Sequence, residues 1–219
     1  MGELFSALEL LGTVAFAVSG AMVAIDRHAD VFGVVFLGMT TAIGGGIVRD
    51  GLLGCFPAAI FSNRVTLCTA AVCPLLVFVV AWLTGDGYER RKGMVDMVNN
   101  LFDALGLGAF TVTGVRMGLS AGYGGKWFFL VFLGLVTGIG GGLLRDVMTN
   151  STPFVLKKRV YALASIGGAV AYLLLCAQGL NETLAGMLTV LLVFAVRMLA
   201  TVFHWNLPRI EPGSANAGR

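Results

Sequence analysis

Two short stretches carry most of the chemistry that this sequence can do. Gly44, Gly45, Gly46, Arg49 and Asp50 form a GGGxxRD element, and Gly140, Gly141, Gly142, Arg145 and Asp146 repeat it 96 residues later. Both lie in apolar runs. Three successive glycines weaken a helix, at about 1 kcal/mol each relative to alanine, so a kink or short unwound stretch is expected at both sites. Freed carbonyls suit a dehydrated cation, and freed amides suit an anion. The same glycines also fit close helix packing, because Gly38, Ala42 and Gly46 recur every fourth residue, as do Gly134, Gly138 and Gly142. The charges one turn later are costly inside a membrane unless paired or wetted. Their symmetric placement leads us to expect reciprocal pairs, Arg49 with Asp146 and Arg145 with Asp50.

Other polar residues come in matched sets. Thr41 and Thr137 precede the glycines, and Ser19 and Thr113 match in an upstream segment. Their hydroxyls could replace part of an ion's hydration shell, or could bond their own backbone. Glu9 and Asp103 are matched carboxylates that could attract cations at an entrance or sit at an interface. Arg197 is expected to snorkel to a membrane edge. His28 and His204 read as surface residues, and Cys55, Cys68, Cys73 and Cys176 as small buried hydrophobes. Nothing in the spacing indicates a resident metal, a cofactor or a catalytic set.

These residues must be positioned by a duplicated scaffold. Residues 32–50 align with 128–146 at twelve identical positions out of 19. Upstream the register changes by two, so that Glu9, Gly12, Phe16 and Ser19 align with Asp103, Gly106, Phe110 and Thr113.

The whole chain has 219 residues, 57% hydrophobic and 12% charged, with a mean hydropathy of +0.87. That excludes a disordered chain, a secreted disulfide scaffold and an ordinary water-soluble enzyme. No basic stripe points to nucleic acid. Seven apolar spans are long enough to cross a bilayer: 4–25, 31–53, 65–83, 98–117, 127–148, 160–177 and 184–203. The first carries Glu3 instead of a basic flank and reads as a retained helix, not a signal peptide. The expected fold is therefore all-α: one transmembrane domain over 1–204 and a polar tail at 205–219. Repeat one covers 4–84, repeat two 98–178, and the seventh helix 184–203. A three-span unit followed by its copy must insert with opposite orientation, which makes the repeats inverted. Nine basic residues on one side against three on the other put the N-terminus outside and the C-terminus in the cytoplasm.

With GGGxxRD present twice in a seven-span chain, the sequence resembles prokaryotic members of the trimeric intracellular cation (TRIC) channel family over roughly residues 4–203. The resemblance implies a homotrimer in the bacterial inner membrane with one pore in each protomer. It also implies glycine-kinked second and fifth helices lining that pore, and passage of potassium or other monovalent cations such as sodium. Bacterial proteins with this repeat are also described as glycine transporters, so a secondary carrier for a small solute is the alternative. Architecture alone does not separate the two.

Overall fold

The computed structural model describes residues 3–85, 92–157 and 160–205. The described residues form seven long helices: α1 (Glu3–Asp26), α2 (Val31–Leu52), α3 (Arg64–Thr84), α4 (Lys92–Ser120), α5 (Trp127–Met148), α6 (Val160–Ala177) and α7 (Glu182–Val202). A 3-10 turn (Ala59–Ser62) precedes α3, and a single helical turn (Phe154–Lys157) precedes α6. Side chains set several helix starts. Asp30 accepts from Gly33 N (2.8 Å), Asn63 from Thr66 N (3.2 Å) and Asn181 from Thr183 N (2.8 Å), capping α2, α3 and α7. The tail beyond residue 205 and half of the twelve basic residues used for orientation lie outside the described residues.

Six of the seven helices are long and apolar enough to cross a membrane. The exception is α4, which falls short by composition and not by length. Its first half carries Asp96, Asn99, Asn100 and Asp103, which lower its hydropathy. Asp96 is exposed, whereas Asn100 and Asp103 are buried against neighbouring helices. Every residue from Gly106 to Val115 is buried, so this helix presents little surface to lipid. At 29 residues it is about 44 Å long, more than a bilayer core needs.

The packing follows the repeat. α1 packs on α2 and α3, as α4 packs on α5 and α6, and the two units meet through α1 against α4 and α2 against α5. The meeting places are reciprocal. Phe16 stacks on its repeat counterpart Phe110, with ring centroids 5.2 Å apart. A methyl on Gly45 would run into the carbonyl oxygen of Thr137, and one on Gly141 into that of Thr41. These pairs map onto one another at the 96-residue offset, as a twofold relation requires, and they run α2 and α5 antiparallel.

Helices α2 and α5 are continuous through Gly44–Gly46 and Gly140–Gly142. The expected unwound stretch is therefore absent, for a physical reason. Each unpaired backbone group at membrane depth costs more than the propensity lost at a glycine. The glycines serve approach instead. Gly44 and Gly45 lie against α5, and Gly140 and Gly141 against α2, with backbone touching backbone. Gly38 likewise leaves a notch for the ring of Pro74, inside α3.

α7 has no counterpart in the first repeat. It packs mainly on α4 and α6 of the second repeat, and touches Phe5 and Leu8 of α1 near Gly186. The outer faces carry apolar side chains, including the repeat-equivalent Phe32 (73% exposed) and Phe128 (89% exposed), as lipid contact demands.

Candidate functional site: two charged clusters at opposite ends of one crossing

Because α2 and α5 are antiparallel, Arg49 and Arg145 lie at opposite ends of their crossing. α1 and α7 begin at one end, where Arg116 of α4 meets both Phe5 and Glu182. They finish at the other, where Ser19 meets Asn99 and Arg197 meets Asn100. We call these the N-terminal and C-terminal ends.

At the N-terminal end, Arg49 Nε donates to Asp50 Oδ1 (2.8 Å), while Nη2 stops 3.9 Å from Glu9 Oε1. Glu9, Arg49 and Thr113 line a cavity of about 250 Å³, together with Phe5, Arg116, Met117 and Ser120. Arg116 leans over the Phe5 ring (3.3 Å from Cζ to the centroid) and bonds Glu182 (3.2 Å). Thr113 donates to the Phe110 carbonyl (3.2 Å).

The C-terminal end holds the equivalent trio, Arg145, Asp103 and Ser19, drawn tight. Arg145 Nε donates to Asp146 Oδ1 (2.9 Å), and Nη1 to both Asp103 Oδ1 (2.9 Å) and Ser19 Oγ (2.5 Å). Ser19 in turn donates to Asn99 Oδ1 (2.7 Å). Tyr161 OH lies 3.5 Å from Asp103 Oδ1, and the Phe154 ring covers the Arg145 guanidinium at 4.8 Å. Gly142 leaves room here: a methyl would stand 3.0 Å from Tyr161 OH. Arg145 has no solvent exposure.

The expected reciprocal pairs are not formed. Each arginine pairs with the aspartate next to it, because a twofold axis in the membrane plane sends equivalent residues to opposite faces. Each aspartate also holds the following loop. Asp50 Oδ2 accepts from Ala59 N (2.8 Å) and Asp146 Oδ2 from Phe154 N (2.7 Å), at the starts of the two short helical turns. The matched carboxylates Glu9 and Asp103 are the arginines' cross-helix partners, a role that their register alone did not indicate.

Thr41 and Thr137 are fully buried and donate to Leu37 O (2.7 Å) and Leu133 O (2.6 Å), their own helices. Their hydroxyls face Gly20 and Gly114, so they pack a helix crossing in this conformation. His28 and His204 are exposed, as expected. The cysteines are not buried: Cys55 and Cys68 are exposed, and Cys73 and Cys176 are half-buried. In an apolar helix such as α3, a cysteine can face lipid as readily as protein.

Arg197 does not snorkel. It is 1% exposed, donates through Nη2 to Asn100 Oδ1 (3.1 Å), and places that nitrogen 3.6 Å from Asp103 Oδ2. Its guanidinium lies 4.7 Å from the Tyr161 ring centroid. Asn99, Asn100, Tyr161 and Arg197 were not singled out from the sequence as members of this cluster. The available signal was the adjacent polar pair Asn99 and Asn100 within a span. Three buried atoms here, Asp103 Oδ2, Arg145 Nη2 and Arg197 Nε, make no hydrogen bond. Each such atom costs about 1–3 kcal/mol, which is affordable only where function or neighbouring contacts compensate. Among the described residues, no group of three or more His, Cys, Asp or Glu side chains could hold a metal ion.

Comparison with known proteins agrees with this architecture. A family model described as "Glycine transporter" matches residues 6–82 and 100–177, which coincide with the two repeats. The UPF0126 membrane protein YvgT of Bacillus subtilis is 32% identical over 203 residues, covering 92% of this chain and 94% of that one. The UPF0126 inner membrane protein YadS of Escherichia coli is 32% identical over 205 residues, covering 92% and 93%. Among solved structures, a prokaryotic TRIC channel in 0.5 M KCl superposes with a TM-score of 0.84 at 28% identity, covering 94% of this chain and all of the other. A structure described for conductance through TRIC cation channels gives 0.80 at 32% identity, covering 94% and 97%. With its doubled model match, its relatives along nearly their full length and its channel-like fold, the chain belongs to the prokaryotic TRIC channel family, which the family model describes as Glycine transporter.

Proposed function

We propose that this protein is a potassium-permeable cation channel of the bacterial inner membrane. It works as a homotrimer with a separate pore in each protomer, N-terminus outside and C-terminus in the cytoplasm. It performs no catalysis. The observation that carries this reading is the pair of charged clusters at the two ends of the α1, α2, α4 and α5 crossing. Buried ionisable groups are expensive in a bilayer and mark ion pathways. The N-terminal cluster, Arg49 with Asp50 and Glu9, is formally negative by one charge and opens to a cavity, which concentrates cations. Ser19 and Thr113 lie at matched depths from the two ends, beside the carboxylates. The structural similarity to channels described as conducting cations supports the same reading.

A second reading, a carrier for a small solute such as glycine, draws support from one observation. One end is open and the other closed, which is also the resting arrangement of an alternating-access carrier.

The test is potassium flux in liposomes containing purified protein, with Glu9→Gln beside wild type. Wild type is expected to pass potassium rapidly without saturation, and Glu9→Gln to reduce flux by roughly two- to tenfold through lost focusing of cations. Slow, saturable glycine uptake without ion flux would replace the channel by the carrier.

A further inference from the structure

The two ends of the crossing differ by one residue that the repeat does not supply. Arg197 comes from α7, the unduplicated helix, and reaches the C-terminal cluster alone. Its surroundings are unusual for a structural ion pair. Asp103 Oδ1 already receives Arg145 Nη1 at 2.9 Å. Asp103 Oδ2 is buried, makes no hydrogen bond and faces Arg197 Nη2 at 3.6 Å, beyond hydrogen-bond reach. Arg197 Nε has no partner either. The guanidinium is held instead by Asn100 Oδ1 (3.1 Å) and the face of Tyr161. A positive group thus forms a buried ion pair with a carboxylate oxygen without donating a hydrogen bond to it. The equivalent carboxylate at the other end, Glu9, pairs among the described residues with Arg49 at 3.9 Å, and borders an open cavity.

Resting on the channel reading above, we propose that Arg197 is a tethered cation that occupies the site of a permeating ion at Asp103, and that the pore conducts when Arg197 swings away. Asp103 Oδ2 is then the oxygen that an arriving cation meets. Displacing Arg197 breaks the 3.6 Å ion pair with Asp103 and one hydrogen bond to Asn100, but no hydrogen bond to Asp103, and an arriving cation replaces the lost charge. Asn100 and Tyr161 are the groups that hold the arginine in place. The seventh helix thereby gives an otherwise symmetric pore a gate at one end.

The experiment is single-channel recording of wild type, Arg197→Gln and Arg197→Lys in planar bilayers with symmetric KCl. Thermal stability and elution volume are measured on the same preparations. Arg197→Gln is expected to raise open probability by at least about fivefold, the low end of a coupling between two states. Arg197→Lys, which keeps the charge but lacks the fork that bonds Asn100 while stacking on Tyr161, is expected to fall between the two. A purely structural arginine would lower stability without raising open probability, and an Arg197→Gln protein that elutes as wild type with unchanged or lower open probability would overturn the proposal. If Arg197→Gln does not assemble, Arg197→Lys decides: increased opening supports the tethered cation and wild-type opening overturns it. Wild type without cation current would overturn the channel reading itself, and this proposal with it, whereas wild-type current with insensitive variants overturns the gate alone.

Discussion

The two ends of the α2–α5 crossing use the same residue types and reach different states. At one end Arg49 holds Asp50, stands off from Glu9 and borders a cavity of about 250 Å³. At the other, Arg145 binds Asp146, Asp103 and Ser19 together and is sealed from solvent. Between them the crossing is symmetric, with Gly45 and Gly141 on matching carbonyls. Duplication therefore supplied the frame and the matched trios, and the difference comes from Tyr161 and Phe154 beside Arg145 together with Arg197 of α7.

The largest break in this comparison should come from the arginines. Arg145→Gln leaves Asp103 and Asp146 buried without their main partner, and removing one member of a buried ionic network costs about 3–5 kcal/mol. Arg49→Gln can be compensated by water from the adjoining cavity and should cost about 1–2 kcal/mol. Denaturant unfolding in detergent measures both. Equal losses would contradict the proposed difference between a wet end and a dry one.

The glycine crossing sharpens the comparison from the other side. Gly45→Ala and Gly141→Ala each push a methyl into a backbone carbonyl that cannot yield as a side chain would. Each should cost about 1–3 kcal/mol or more, and the two costs should be similar. Gly167→Ala on α6, where a methyl would meet open space, serves as the comparison and should cost nothing in the same assay.

The smallest effect is expected at the threonines. Thr41→Val and Thr137→Val remove hydroxyls that bond only their own helices. Potassium flux should change by less than about twofold, since such intrahelical bonds stabilise little. A larger loss would return these hydroxyls to the ion pathway.

Much of this architecture is legible in the sequence, because the repeat is exact where helices touch. Twelve identities fix the 96-residue offset, and the upstream register, shifted by two, matches Phe16 with Phe110 and Glu9 with Asp103. The pairing of Arg49 and Arg145 was not legible, since inversion carries residues near the helix ends to opposite sides, while residues near the axis, such as Phe16 and Phe110, meet. Helix propensity pointed to breaks at the triple glycines. It describes helices in water, whereas in a membrane the unsatisfied backbone is the greater cost. Hydropathy also understated α4, whose polar residues Asn100 and Asp103 are buried against neighbouring helices. Arg197 was hidden because a lone arginine near the end of an apolar helix looks the same whether it turns outward or inward. Only the position of Asn100, Asp103 and Tyr161 on neighbouring helices decides it.

The central claim is that these clusters border a path for cations. It is tested most directly by the reversal potential of the purified protein in a planar bilayer under a KCl gradient. A value close to the potassium equilibrium potential, with current that does not saturate, is the predicted result. A reversal potential on the chloride side, or no current from protein that takes up glycine saturably, would contradict it.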